Sequence, residues 1–279
     1  MQSVEVTLKV WERLLSIRAG SGCACCGTWS AGERAALALY GPLARRDLGP
    51  MAVAQIGQSL DGRIATLTGD ARNVSGPDGL LHLHRMRALV DGVVIGVRTA
   101  LHDQPQLTVR QCSGDNPARI VIDPQGRLPD DAPMLRPCGA RRIVVQAASR
   151  PRAPGIEVIT LKQTAGLLDP QAILSALRDR GIATLLVEGG GITIARFLEA
   201  ELLTRLQIAI SPVLIGAGPQ GLTLKNPVTR LADAIRPQTR SFALGPEVVF
   251  DCALSDLAVQ AWQPLHPAPL TAARALRPN

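Results

Sequence analysis

From residue 51 onward the chain alternates two kinds of apolar pattern. Short continuous runs of Val, Ile, Leu and Ala occur at 51–57, 92–97, 118–123, 141–147, 156–160 and 184–188. Runs of this length and β-branched content predict strands buried on both faces. Between some of them, 77–90, 170–180 and 193–203 carry apolar residues at helical spacing. This alternation predicts an α/β domain, a central, mostly parallel sheet flanked by helices. Beyond residue 205 the pattern turns strand-rich. Segments 206–215 and 247–254 read as long strands, antiparallel at one edge.

The first fifty residues follow a different rule. In 4–18, Val10, Trp11, Leu14 and Ile17 recur at helical spacing, and a second helix is predicted over 31–45, weakened at its end by Gly41-Pro42. The organisation expected is a helical N-terminal appendage (1–50), a main domain (51–262) and a Pro/Ala/Arg-rich tail (263–279) that frays. The appendage is expected to pack on the main domain or on a partner subunit.

Composition narrows the function. Hydrophobic residues make up 46% of the 279 and aromatics only 3%, so the core must be aliphatic. The net charge of +7 is carried mostly by scattered Arg. Scatter argues against a nucleic-acid partner, which favours a concentrated patch. It suits an anionic small ligand, because guanidinium forks match phosphate. No apolar stretch is long enough to cross a membrane, and Glu5, Lys9, Glu12 and Arg13 interrupt the N-terminal pattern. A cytoplasmic protein with no membrane partner is expected. Cys23, Cys25 and Cys26 cluster, but zinc-site spacing is missing and the histidines lie at 82, 84, 102 and 266. No metal is expected, and the thiols are read as reduced.

Three segments carry candidate chemistry. Gln58-Ser59-Leu60-Asp61-Gly62-Arg63-Ile64-Ala65 follows a strand, and its Asp-Gly marks a tight turn. Residues 96–110 leave the carboxyl end of a predicted strand, where α/β folds bind ligands, and combine hydroxyl, carboxylate and guanidinium groups. They read as a polar, Pro-containing loop. In Leu185-Leu186-Val187-Glu188-Gly189-Gly190-Gly191-Ile192-Thr193 a strand ends in a carboxylate, three glycines and a helix start. Glycines admit close backbone approach, and a helix N terminus favours phosphate. Each segment alone is compatible with an ordinary surface loop.

Taken in order, SLDGRIA, RMRALVDGVVIGVRTALHDQPQLTVR, ARIVIDPQGRLP, LLVEGGG and ISPVLIGAG resemble the C-terminal reductase domain of bacterial riboflavin-biosynthesis deaminase/reductase proteins and its stand-alone archaeal and fungal relatives. The resemblance spans roughly 51–255. It implies a dihydrofolate-reductase-like fold, NADPH as cofactor, and a homodimer. It also implies hydride transfer to C1′ of 5-amino-6-(5-phosphoribosylamino)uracil, a phosphorylated small molecule, opening the ribose to a ribityl chain. On matching positions, Gly57, Thr99 and Asp103 would touch the cofactor. Gly189, Gly190, Gly191, Ile192 and Thr193 would hold its pyrophosphate. Arg87, Leu107 and Arg110 would meet the substrate, the arginines its phosphate, and Glu188 would lie beside it. Asp103 and Glu188 are the polar groups expected at the reaction centre. Arg150 and Arg152 would either meet a 2′-phosphate or remain solvated at the surface.

The chain departs from the family pattern at Gln55, where Lys is frequent, at Gln104 within Asp103-Gln104-Pro105, at Asn73, and at Leu203-Thr204-Arg205-Leu206. These departures bear on the substrate more than on the fold. The H-x-E and P-C-x-x-C segments of a zinc deaminase are missing from 1–50, so deamination is not expected. Two alternatives remain open on the residues: a reductase of this fold acting on another nucleoside- or pterin-like compound, and a non-catalytic nucleotide-binding or assembly protein.

Overall fold

Carboxyl ends of neighbouring parallel strands place the candidate segments side by side. The computed structural model describes residues 1–23 and 26–262. Cys25 of the thiol cluster and the expected tail at 263–279 lie outside the described residues. Strand β1 (Gln2–Ser3) precedes helices α1 (Leu8–Arg18) and α2 (Ala31–Ala44). Strand β2 (Met51–Ser59), helix α3 (Pro77–Ala88), β3 (Gly92–Gly96), α4 (Val97–Asp103), β4 (Ala118–Ile122), β5 (Arg142–Gln146) and β6 (Glu157–Thr160) follow. A small ribbon, β7 (Gln163–Thr164) and β8 (Leu167–Leu168), leads to α5 (Pro170–Arg178), β9 (Thr184–Glu188), α6 (Gly191–Glu199) and β10 (Arg205–Ser211). The hairpin β11 (Gln238–Leu244)–β12 (Glu247–Ala253) and helix α7 (Asp256–Ala261) complete it.

One ten-stranded sheet runs β1-β11-β12-β10-β2-β9-β3-β4-β5-β6. Strand β12 is antiparallel to both neighbours, and every other pairing in this sheet is parallel. Side chains alternate between two cores, as a two-residue period requires. Met51, Val53, Val93, Ile95, Val121, Val144 and Leu186 face α1, α2 and α3. Ala52, Ala54, Val94, Ile120, Ile143, Leu185 and Val187 face α5 and α6. Capping fixes several helix starts. Ser30 and Glu33 form a reciprocal capping box on α2, Thr7 caps α1, and Asp169 caps α5 with Pro170 in the first turn.

The structure departs from the expectations in four places. Residues 97–103 form helix α4 rather than a loop, because Val97 and Ala100 turn into the core while Arg98 and His102 face outward. Strand β10 stops at Ser211, since Pro212 has no N–H to continue the ladder. Strand β11 was not anticipated; its residues Gln238–Leu244 show little apolar alternation. The segment before Thr7 is extended, not helical, and Val4 N–H donates to Ala243 O at 3.1 Å.

Residues 1–50 share the hydrophobic cluster of the sheet. Val10, Trp11, Leu14, Ile17, Leu39, Tyr40 and Leu43 pack with Met86, Val93, Val121 and Phe242. A polar row crosses the sheet beneath α3, in register: Glu188 pairs with Gln55, Gln55 with Gln207, and Gln207 with Asp251. His82 joins the row to α2, with Nδ1 2.8 Å from Tyr40 Oη and Nε2 3.1 Å from Gln207 Oε1.

Because α1 belongs to this core, Leu14→Ala is expected to lower stability by about 2–5 kcal/mol. Urea unfolding should retain one cooperative transition, shifted to lower denaturant. An unchanged midpoint would show that α1 is only loosely attached.

Candidate active site

The carboxyl ends of β2, β9 and β3 bring together most of the residues singled out in the sequence. Strand β9 is buried throughout and ends in Glu188. A carboxylate there needs a partner, because burying an unpaired charge is prohibitive. Arg87 of α3 supplies it, its Nε donating to Glu188 Oε2 at 2.8 Å and its Nη2 to Oε1. Both side chains are less than a tenth exposed. Arg87 Nη1 also donates to the Thr108 carbonyl at 3.1 Å. Its positive charge is therefore matched within the protein.

Arg110 is placed differently. Its N–H donates to His84 Nδ1 at 3.0 Å and its Nη1 to Thr108 Oγ1 at 2.7 Å. Among the described residues no carboxylate is in salt-bridge contact with it, and its side chain reaches the surface. Burial, with Arg87 and Arg110 adding to it, pushes the His84 imidazole down to about 4. A neutral ring suits its acceptor role toward Arg110. His82, fully enclosed, is likewise pushed down to about 4 by burial. His84 and Thr108 were not singled out in the sequence. The signal lay in α3, whose buried face carries His82, His84 and Arg87 where apolar residues would be ordinary.

Above Glu188 the backbone forms a cradle. Gly189 and Gly190 both take left-handed conformations (φ 62° and 70°), which β-carbon-bearing residues resist. Gly190 is the N-cap of α6 and offers no side-chain cap. Thr193 N–H donates to the Gly190 carbonyl at 2.9 Å, while the Gly191 and Ile192 N–H groups have no acceptor among the described residues. A Cβ at Gly190 would sit 2.6 Å from Thr99 Oγ1, and one at Gly96 would sit 2.6 Å from Thr193 Oγ1. Thr99 and Thr193 therefore flank the cradle, and neither hydroxyl is bonded elsewhere among the described residues. Ile192 is exposed at the start of α6. Gly57 leaves room for Ser75, whose Oγ would lie 2.5 Å from a Cβ there.

Asp103 stands one turn beyond Thr99 on α4, exposed, with its Oδ1 2.7 Å from His102 Nδ1. It shares no hydrogen bond with the buried Glu188, which is paired with Arg87, so the two carboxylates expected at the reaction centre differ in exposure and partner. Between them, Gln104 and Leu107 take left-handed conformations (φ 46° and 57°). Leu107 is buried whole within the hydrophobic cluster, so it is not on the accessible surface where the resemblance would place a substrate contact. Gln55, also buried, makes no hydrogen bond to another described residue and lies beside Glu188 in register.

The motif Ser59-Leu60-Asp61-Gly62 has a structural office. Asp61 accepts from Ser59 Oγ at 2.6 Å and from the N–H groups of Ile215 and Gly216 at 3.1 and 2.7 Å. Those bonds hold the Asp61 carboxyl down to about 2. They tie the turn to the segment after β10, whose Gly221 packs on Gly191. Arg152 is neither a phosphate ligand nor a solvated charge. It is enclosed, with Asp123 at 2.9 Å and Asp130 at 3.0 Å. Arg150 donates to the Gly126 carbonyl.

A mostly parallel α/β sheet with a glycine cradle, a buried ion pair and an uncompensated arginine at its carboxyl ends has the layout of a small-molecule enzyme. Residues 50–249 match the model of the RibD C-terminal domain, and the chain belongs to that family. It is 31% identical over 215 residues to a 2,5-diamino-6-ribosylamino-4(3H)-pyrimidinone 5′-phosphate reductase of Methanothermobacter thermautotrophicus, covering 72% of this chain and 97% of that protein. It is 32% identical to the riboflavin biosynthesis protein RibD of Aquifex aeolicus, over 58% of this chain and 46% of that one. The chain thus spans about half of that longer relative. The fold agrees with a deaminase/5-amino-6-(5-phosphoribosylamino)uracil reductase of Thermotoga maritima, at TM-score 0.63 and 22% identity, over 79% of this chain and 62% of that one.

Two outcomes follow from the buried charges. Glu188→Ala leaves Arg87 unpaired and is expected to cost about 3–5 kcal/mol in urea unfolding, whereas Arg87→Met with Glu188→Leu should recover most of that loss. A double variant as unstable as the single would refute the ion-pair account. Second, His82 and His84 stay neutral until about pH 4, while unfolded histidines protonate near 6.5. The unfolded state takes up protons first, so stability should fall as pH drops from about 6.5 to about 4. The His82→Gln variant should lose less over that interval.

Proposed function

We propose that the protein is an NADPH-dependent reductase of riboflavin biosynthesis, reducing the ribosyl side chain of 5-amino-6-(5-phosphoribosylamino)uracil to ribityl. The observation that carries this reading is the juxtaposition, at the same strand ends, of an uncapped glycine cradle and the uncompensated Arg110. The cradle fits a dinucleotide. Its glycines let the backbone pack closely on Thr99 and Gly221, where a Cβ would collide, two hydroxyls with no hydrogen bond among the described residues flank it, and the N terminus of α6 favours a pyrophosphate. When bound, NADPH supplies the hydride.

The chain's own residues bind and orient. Gly189, Gly190, Gly191, Ile192 and Thr193 would hold the pyrophosphate, with Gly57 and Thr99 against the cofactor. Arg110 is the cation for the substrate phosphate. Arg87 fixes Glu188 and, through the Thr108 carbonyl, the loop that carries Arg110. Glu188 lines the floor beside the sugar, and Asp103 at the mouth is the exposed carboxylate able to hold a ribose hydroxyl or exchange a proton with water. The homodimer belongs to the same reading; Leu60 and Leu214, exposed on adjoining turns near the cradle, are surface a second copy could cover.

Gln55 favours a second reading of the ring. Its side chain lies beside Glu188 with no side-chain hydrogen bond among the described residues, and an amide both donates and accepts. It can meet a ring carbonyl, as in the uracil, or a ring amino group, as in the diaminopyrimidinone named for the Methanothermobacter relative.

Absorbance of reduced nicotinamide tests the proposal with both ring compounds. Turnover of either supports it, and the ratio of the two kcat/KM values assigns the ring. NADPH binding without turnover of either points to another nucleoside-like substrate; failure to bind NADPH sinks the proposal. Asp103→Asn is expected to lower kcat/KM about 10²-fold or more, as loss of a polar group at the reaction centre does. The Gly190→Val variant should weaken NADPH about tenfold or more, because a branched side chain at this left-handed position collides with Thr99 and distorts the cradle.

A further inference from the structure

The loop that carries Arg110 has no regular structure between α4 and β4. Its place depends on tethers. On its inner side α3 holds it, through Arg87 to the Thr108 carbonyl and through His84 to the Arg110 N–H. Within the loop, Val109 N–H donates to Asn116 Oδ1 at 2.7 Å.

On its outer side the tether is α1. Trp11 Nε1 lies 3.0 Å from both the carbonyl and the hydroxyl oxygen of Ser113, and the indole is almost wholly buried. Next to it, Gly114 (φ 133°) is squeezed between the two helices. A Cβ there would lie 2.7 Å from Ala88 Cβ and 3.5 Å from Leu15 Cδ2. Val109 and Cys112 pack against the same hydrophobic cluster.

Helix α1 is itself pegged to the strand that ends in Glu188. Arg18 pairs with Asp91, and the other oxygen of Asp91 accepts from Ala183 and Thr184 N–H at 3.0 and 2.8 Å. One helix is therefore fastened both to the loop bearing Arg110 and to the base of β9. It lies wholly outside residues 50–249, the part matched to the family.

We propose that α1 is a positioning element for the anion-binding loop, with Trp11 as the residue that sets the reach of Arg110 toward the substrate phosphate. This rests on the reading that Arg110 meets that phosphate. Trp11 touches no ligand and acts through Ser113. Its loss should therefore weaken recognition of the phosphate and leave the chemical step alone.

Trp11→Phe removes the indole N–H and keeps an aromatic ring. Loss of such a bond corresponds to about a five- to tenfold effect. The expected result is a KM for the phosphorylated substrate raised by that factor, with kcat and the KM for NADPH unchanged. The KM for the same compound lacking its phosphate should not move, which a general loosening of the fold would not produce. In parallel, hydrogen exchange is followed in the intact protein. Amides of 109–116 should exchange faster in the variant, with β2 and β9 unaltered. Unchanged exchange in the loop, or an equal rise in KM for both compounds, overturns the proposal. If Trp11→Phe does not fold, Gly114→Ala, which pushes the loop off Ala88, must show the same phosphate-specific rise. A wild-type protein that turns over neither compound defeats the functional reading instead, and the exchange measurement still decides whether α1 holds the loop.

Discussion

A carboxylate at the end of a strand buried on both faces has to be met by a cation, and much of the site is arranged around how Glu188 meets Arg87. The pairing fixes which side of α3 turns to the sheet. With Arg87 inward, His84 also faces the site, and His82 reaches Gln207 across the polar row. The third contact of Arg87, to the Thr108 carbonyl, brings the loop after α4 against the same helix. Arg87 is neutralised by Glu188, whereas Arg110 has no carboxylate in salt-bridge contact among the described residues. Two arginines that look equivalent in sequence are divided into one held in a buried ion pair and one whose side chain reaches the surface.

The fold was largely legible because strand and helix signals here are unmixed. Continuous Val/Ile runs gave the six parallel strands from Met51 to Glu188 nearly to the residue, and the triple glycine marked the turn from β9 into α6. Illegible parts share a physical cause: tertiary contacts overrode weak local pattern. Helix α4 has only Val97 and Ala100 to signal a buried side, and polar residues elsewhere disguise it. Strand β11 is half exposed and is held by its partners rather than by its composition. The site was legible in its types of residue but not in their pairing. Nothing local to Arg87 indicates a carboxylate 101 positions away, nor does Arg152 announce that Asp123 and Asp130 enclose it.

Asp61 explains why two separated motifs occur together. Its carboxylate binds the turn after β2 to the first residues beyond β10, and Gly221 of that second segment packs on Gly191. The cradle is thus buttressed from behind by a loop that need not touch a ligand. The N-terminal helices play a comparable part on the other face, where α1 and α2 complete a core that the sheet and α3 would leave open.

Strand β1 pairs with β11 in parallel, Gln2 opposite Phe242 and Ser3 opposite Ala243. Ser3 is synthesised long before Ala243, so the two ends of the sheet's outer pairing are joined only late in translation. Until the final hairpin leaves the ribosome, the cluster that α1 and α2 share with Phe242, Leu244 and Val249 is incomplete. Contacts of such sequence separation form slowly. The same pairing covers the outward edge of β11 at Phe242 and Ala243, part of a strand edge that would otherwise invite aggregation.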